Sequence, residues 1–181
     1  MRLKDDHRGF SLIEKVVVLG IIAIIASVSL GVLKNVHVAN SAKAVKIVSS
    51  SISRLQANAM GKADKPYLYI YKSGDQYYLQ TSTVKLDSFD GSILNSKGVA
   101  LGNGIQVYTS DDNSTYTKVA GSSFVKIAFK KDGSFDSTET SAKYIGIRNG
   151  KESILHIIKL ILETGRHKLD DGAAADFAGV S

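Results

Sequence analysis

A chain of 181 residues, 44% hydrophobic and 22% charged, has the length and composition of one folded unit, which excludes a collagen-like, low-complexity or wholly disordered protein. The absence of cysteine excludes a disulfide framework, a thiolate zinc site and a cysteine nucleophile. A formal charge of +6 suits an acidic partner, whether lipid headgroups, nucleic acid or another subunit, without choosing among them.

Residues 1–9, MRLKDDHRG, are polar, and hydrophobic sequence begins abruptly at Phe10. Residues 16–33 carry no charge. As a helix that run reaches about 27 Å, close to the hydrocarbon thickness of a bilayer. The basic start, the apolar stretch and the small residues from Ala26 to Ser29 also loosely fit a secretory signal peptide. Two features count against that reading. Glu14 and Lys15 interrupt the apolar stretch soon after it begins, and apolar residues continue at helical spacing beyond Leu33, at Val38, Ala42, Val45, Val48, Ile52, Leu55 and Ala59. One long helix is therefore expected from about Phe10 to Gly61. Gly31 permits a kink without imposing one.

Glu14 is a carboxylate in an apolar setting, where an unpaired charge is costly, so it requires a cation. Lys15 is one candidate, and snorkelling toward headgroups is its other role. No acidic residue stands between Lys15 and Ala63, whereas Lys34, Lys43, Lys46, Arg54 and Lys62 are spread along the segment. They form either a solvated face or contacts to anionic lipid and acidic neighbours.

Gly9-Phe10-Ser11-Leu12-Ile13-Glu14 resembles the processing site of type IV pilins and the related pseudopilins: a short basic leader, a glycine, an aromatic, a glutamate four residues later and an apolar helix. The resemblance implies that a prepilin peptidase cuts after Gly9 and that the new amine of Phe10 is methylated. It also implies that Glu14 pairs with the Phe10 amine of a neighbouring subunit and so sets the register of helices packed in a filament. Where most such pilins have a proline toward the end of the apolar segment, this chain has Gly31.

After Gly61 the texture changes, and the only proline, Pro66, follows. Tyr67–Tyr71 and Gln76–Thr81 are aromatic-rich runs joined by Lys72-Ser73-Gly74-Asp75, a hairpin signal. Further strands are expected at Ile105–Thr109, Tyr116–Ala120, Phe124–Phe129 and Tyr144–Arg148, with turn residues between them. Ile154–Leu162 fits either a helix face or a strand buried on both faces. The segment from Val125 to Gly133, the apolar run and Thr164-Gly165-Arg166 resemble the end of H-type minor pseudopilins and FimT-like pilins, which implies a strand there, followed by a glycine-arginine turn. The expected fold is α+β, with a cleaved leader at 1–9, a pilin helix at 10–62 containing a transmembrane segment near 16–33, and a β-rich domain at 63–181.

The remaining chemistry is sparse. His7, His37, His156 and His167 have no metal-ligand spacing, and no cofactor is expected. Asp111-Asp112-Asn113 and Asp170-Asp171-Gly172 carry oxygen donors of the type calcium prefers but read as turns, as does Gly102-Asn103-Gly104. No serine, histidine and acid grouping can be assembled from sequence order, and nothing argues for an enzyme.

Three readings follow. The chain is a structural subunit of a type IV pilus or a secretion pseudopilus. Its partners are then a prepilin peptidase, other pilin subunits, an assembly platform and the cytoplasmic membrane, and its C-terminal domain lies outside the cytoplasm before it enters a filament. Alternatively it is a minor pilin that binds DNA during uptake. Gly165-Arg166-His167-Lys168 resembles the glycine-arginine-basic motif of DNA-binding FimT-like pilins, and Lys126, Lys130, Lys131, Arg148, Lys151 and Lys159 extend the basic surface. A local alternative pairs Arg166 with Glu163 or Asp170. In the third reading the chain is a single-pass membrane protein unrelated to filaments.

Overall fold

The computed structural model describes residues 12–95, 97–150 and 152–180, with the side chains of residues 26–37 outside that description. Helix α1 spans Leu12–Gly61 and runs through Gly31 without a break. No proline interrupts those residues, and the helix stops at Gly61, where the Lys62 N–H closes the last turn on the Asn58 carbonyl at 2.9 Å. The expected start at Phe10 lies outside the described residues. The chain divides between Val36 and His37 into two compact units.

The second unit is built from the C-terminal half of α1 and nine strands: β1 (Tyr67–Ser73), β2 (Gln76–Ser82), β3 (Val99–Ala100), β4 (Ile105–Ser110), β5 (Thr117–Lys118), β6 (Phe124–Ala128), β7 (Tyr144–Asn149), β8 (Ile154–Ile161) and β9 (Arg166–Ala173). They form a four-stranded sheet in the order β3-β2-β1-β6 and a five-stranded sheet in the order β5-β4-β7-β8-β9. Every pairing within them is antiparallel. The fold is therefore α+β, with an N-terminal helix and a C-terminal β domain.

Strand alternation explains the aromatic runs. Along β1, Leu68 and Ile70 point into the core shared with α1, while Tyr67, Tyr69 and Tyr71 point to the other face and pack with Leu86, Leu94 and the partly buried Phe89 of the loop between β2 and β3. Along β8, Ile158 and Leu160 join the α1 core, while Leu155 and Ile157 pack with Tyr108 and Tyr116 on the opposite face. This two-sided burial makes Ile154–Ile161 a strand rather than a helix. The helix contributes Ala44, Val45, Val48, Ile52, Leu55 and Ala59 to the same core. Val38 and Ala42, expected on that stripe, are exposed; their places are taken by Ser41 and Ala44, because the buried face is rotated from the one drawn through every apolar residue.

Other expectations need correction. Tyr116–Ala120 contributes only the short β5, since Tyr116 leaves the sheet to bury its ring against Phe177. The two-residue β3 lies outside the strands expected from the sequence. The Gly165-Arg166 turn does not end the domain: it opens β9, and Asp170-Asp171-Gly172 lies inside that strand instead of forming a turn. Asp111-Asp112-Asn113 and Gly102-Asn103-Gly104 are turns, with Asn113 and both glycines at positive φ.

The connection from helix to sheet is pinned by Lys65, whose ammonium donates to Asp136 Oδ2 at 2.5 Å. Burial alone would push the Asp136 carboxyl up, but hydrogen bonds from Lys65 and from the hydroxyl and N–H of Thr138 outweigh it and hold it at about 2.

Candidate functional site

Gly9 and Phe10 lie outside the described residues. Glu14 is in the first turn of α1. Around it Leu12, Ile13, Val16, Val17, Val18, Leu19, Ile21, Ile22, Ile24 and Ile25 are all exposed, between half and four-fifths of each. Consecutive helical positions point in every direction, so this part of the helix is apolar all round rather than on one stripe. Its surface is suited to being covered by lipid or by other helices. Among the described residues no helix is long and apolar enough to cross a membrane, and the apolar run at 16–33 passes into the residues whose side chains are not described.

Arg166 and Lys168 are both exposed on β9, two residues apart and hence on one face, with Lys159 directly across from Lys168 on β8. Among the described residues no ion pair joins Arg166 to Glu163 or Asp170. Of the wider basic set, Lys130, Lys131 and Lys159 are exposed, while others are engaged elsewhere. Lys126 is held by Glu139 at 2.9 Å and Asp87 at 3.3 Å, Arg148 is buried beside Gln106 and the Tyr108 ring, and the exposed Lys131 donates to the Lys62 carbonyl. Lys151 lies outside the described residues.

Gly165 has a structural reason to be glycine. Its φ is +68°, and a Cβ there would stand 1.8 Å from the Gly133 carbonyl oxygen. Gln56 of α1 donates its side-chain amide to that same oxygen at 2.7 Å and to the Gly165 carbonyl at 3.3 Å. Three segments meet at this point.

Sequence order concealed one grouping. His156 Nδ1 lies 2.6 Å from Asp171 Oδ1, and its Nε2 lies 3.2 Å from Ser41 Oγ and 3.4 Å from Glu152 Oε1. These are the residue types of a hydrolytic triad, but the chemistry differs. Ser41 has no exposed surface, and its hydroxyl donates to the Val38 carbonyl at 3.0 Å while Oγ contacts His156 Nε2, so its proton is directed at the helix backbone and its oxygen is out of reach of solvent. The cluster ties α1 to β8 and β9. His167, farther along β9, contacts Ser49 Oγ at 2.7 Å, and burial pushes its pKa below the ordinary histidine value. Between these two ties, Ala39, Ala42, Lys43 and Lys46 of α1 face Leu169 and Asp171 across an open groove of about 610 Å³. Among the described residues no group of acidic and histidine side chains is arranged to hold a metal ion.

No curated protein and no solved structure resembles the chain closely enough to count as a match. A family model does match at the N-terminus, and because it ends at residue 30 it does not reach the region likened to H-type pseudopilins and FimT-like pilins. A motif of this kind implies processing by a prepilin peptidase and assembly with other pilin subunits in a filament. Residues 4–30 match the prokaryotic N-terminal methylation motif, and the chain therefore carries the cleavage signal of type IV prepilins.

Proposed function

We propose that this chain is a filament subunit of the type IV pilin or pseudopilin class, with residues 1–9 as leader, 10–62 as the assembly helix and 63–181 as the displayed domain. The observation that carries this reading is the methylation motif at residues 4–30, joined to a helix whose residues 16–25 are apolar on every side. The peptidase cuts between Gly9 and Phe10, and Phe10 becomes a methylated N-terminus. Before assembly, residues 16–33 anchor the precursor in the cytoplasmic membrane with the β domain outside the cytoplasm. On assembly the same apolar surface exchanges lipid for neighbouring helices, and Glu14 neutralises a neighbour's Phe10 amine. Intact mass and N-terminal sequencing of membrane-extracted protein test it: the mature chain should begin at methylated Phe10. A mature start near Leu30 would instead indicate an ordinary signal peptide and defeat the assignment.

One observation favours the DNA-binding reading: Arg166 and Lys168 are exposed on one face, with Lys159 adjacent. If they hold phosphates, duplex binding should weaken steeply with salt, and replacing both with alanine should flatten that slope for every sequence alike. An absence of binding at tens of micromolar protein in low salt would leave the structural role alone.

A further inference from the structure

Strand β9 closes one side of the five-stranded sheet, and among the described residues no strand pairs with its outer edge. Its eight residues make this a long edge, of the kind that invites another strand. The direction of its backbone groups can be derived. The Ala174 N–H donates to the Ser153 carbonyl, and Ile154 stands opposite Ala173. By alternation Arg166, Lys168, Asp170 and Gly172 therefore bond to β8, while His167, Leu169 and Asp171 turn their N–H and C=O groups outward. The Asp171 N–H is occupied by the neighbouring Asp170 carboxylate at 2.9 Å.

The charges on this edge are ordered about a pivot: Arg166 and Lys168 precede Leu169, and Asp170 and Asp171 follow it. Such a sequence is complementary to itself run backwards. A two-fold axis perpendicular to the sheet keeps its faces continuous and so pairs residues of like parity. Centred on Leu169, it sets Lys168 opposite Asp170 twice and Leu169 on Leu169, and brings His167 opposite Asp171, whose side chains keep their ties to Ser49 and His156. The outward backbone groups of those odd-numbered residues then bond across the axis. Shifted by one residue to centre on Lys168, it opposes two ammonium groups, which is unfavourable. Leu169, more than half exposed, is the large apolar side chain left uncovered at the pivot.

We propose that β9 is a homotypic docking edge, on which two copies of this chain pair β9 to β9, antiparallel, about a two-fold axis through Leu169. In that pair Asp170 releases the Asp171 N–H to the partner's backbone and takes the partner's Lys168 instead. A closed two-fold contact cannot propagate along a helical filament, so it joins copies in separate filaments or copies not yet assembled. The inference does not depend on the filament reading.

The absence of cysteine makes a single introduced thiol diagnostic. Leu169→Cys, Lys168→Cys and Thr117→Cys, the last on β5 at the opposite edge of the sheet, are each made in the full chain, purified in detergent and mildly oxidised. The Leu169 thiols meet on the axis at a separation a disulfide can bridge. Leu169→Cys should therefore give at least about ten times the disulfide-linked dimer of either control. Equal yields, or an excess for Lys168→Cys, would overturn the proposal. Adding Lys168→Asp to Leu169→Cys should lower the yield about tenfold, and adding Asp170→Lys as well should restore it, because the reversed pair is again complementary. Failure of the double reversal to restore it, with an unchanged far-ultraviolet spectrum, would also overturn it. Sedimentation of the cysteine-free chain gives a check without any thiol: self-association should fall with Lys168→Asp and return with the double reversal. Sedimentation unmoved by either change would refute the pairing.

Discussion

At Gly165 a single hydrogen in place of a methyl lets the β8–β9 turn reach the Gly133 carbonyl and the Gln56 amide. Gly165→Ala should destabilise the β domain by about 1–3 kcal/mol from its positive φ alone, and further through the clash with Gly133, as read by urea unfolding. His167 gives a pH dependence whose sign can be worked out. Its folded-state pKa is lowered by burial, so protons bind the unfolded chain more readily. Its contribution is fully present above the ordinary value near 6.5 and is lost as pH falls through the lower folded value. The stability difference between wild type and His167→Gln should therefore shrink or reverse in acid; a difference constant from pH 8 to 5 would contradict this. If Glu14 pairs with a neighbour's amine as proposed, Glu14→Ala should leave cleavage and membrane retention intact while filament incorporation collapses, since breaking a buried ion pair costs about 3–5 kcal/mol. Shearing and immunoblotting measure it.

Among the elements, α1 contributes most to the core of the second unit. Ile52 has no exposed surface, and Ile52→Ala should cost about 2–5 kcal/mol, measured by thermal or urea unfolding. Lys46→Ala, on the exposed side of the same helix, should change stability by less than about 0.5 kcal/mol. Most elements were legible because their periodicity is strong: the tyrosine and isoleucine alternation of β1, β2 and β8, and the unbroken helical run of α1. Strand β9 was not legible, because RHKLDDGA carries charge and glycine where a core strand alternates apolar residues; an edge strand is held by backbone pairing, which leaves no hydrophobic signature. The Gly9–Glu14 motif was legible because its parts are consecutive. The Ser41, His156 and Asp171 cluster was not, since Ser41 and His156 lie 115 residues apart and only the fold brings them together.

On the scale of the whole molecule, the core that includes Val48, Ile52 and Leu55 lies entirely within the second unit. A chain beginning near Asn35 should therefore be soluble and folded without metal or disulfide. Deletion through Gly61 should expose the inner faces of Ile70, Ile147 and Ile158 and cause aggregation. Light scattering and circular dichroism of the two truncations would check this, and an equally stable domain after the deeper deletion would mean that the helix adds nothing to the β domain.

Within the second unit, α1 forms the interior of the β domain from Ala44 to Ala59. If the chain is a filament subunit, as proposed, tension applied along that part of the helix is borne by the packed core. The load falls in shear on Ala44, Val48, Ile52, Leu55 and Ala59 together, so their contacts must yield at once and not one after another. Gln56, bound to the turns at Gly133 and Gly165, acts as a stop against axial slip. Pulled along the helix axis, the domain should rupture at a higher force than when pulled between its β-domain ends, and Gln56→Ala should lower the first force while leaving the second nearly unchanged.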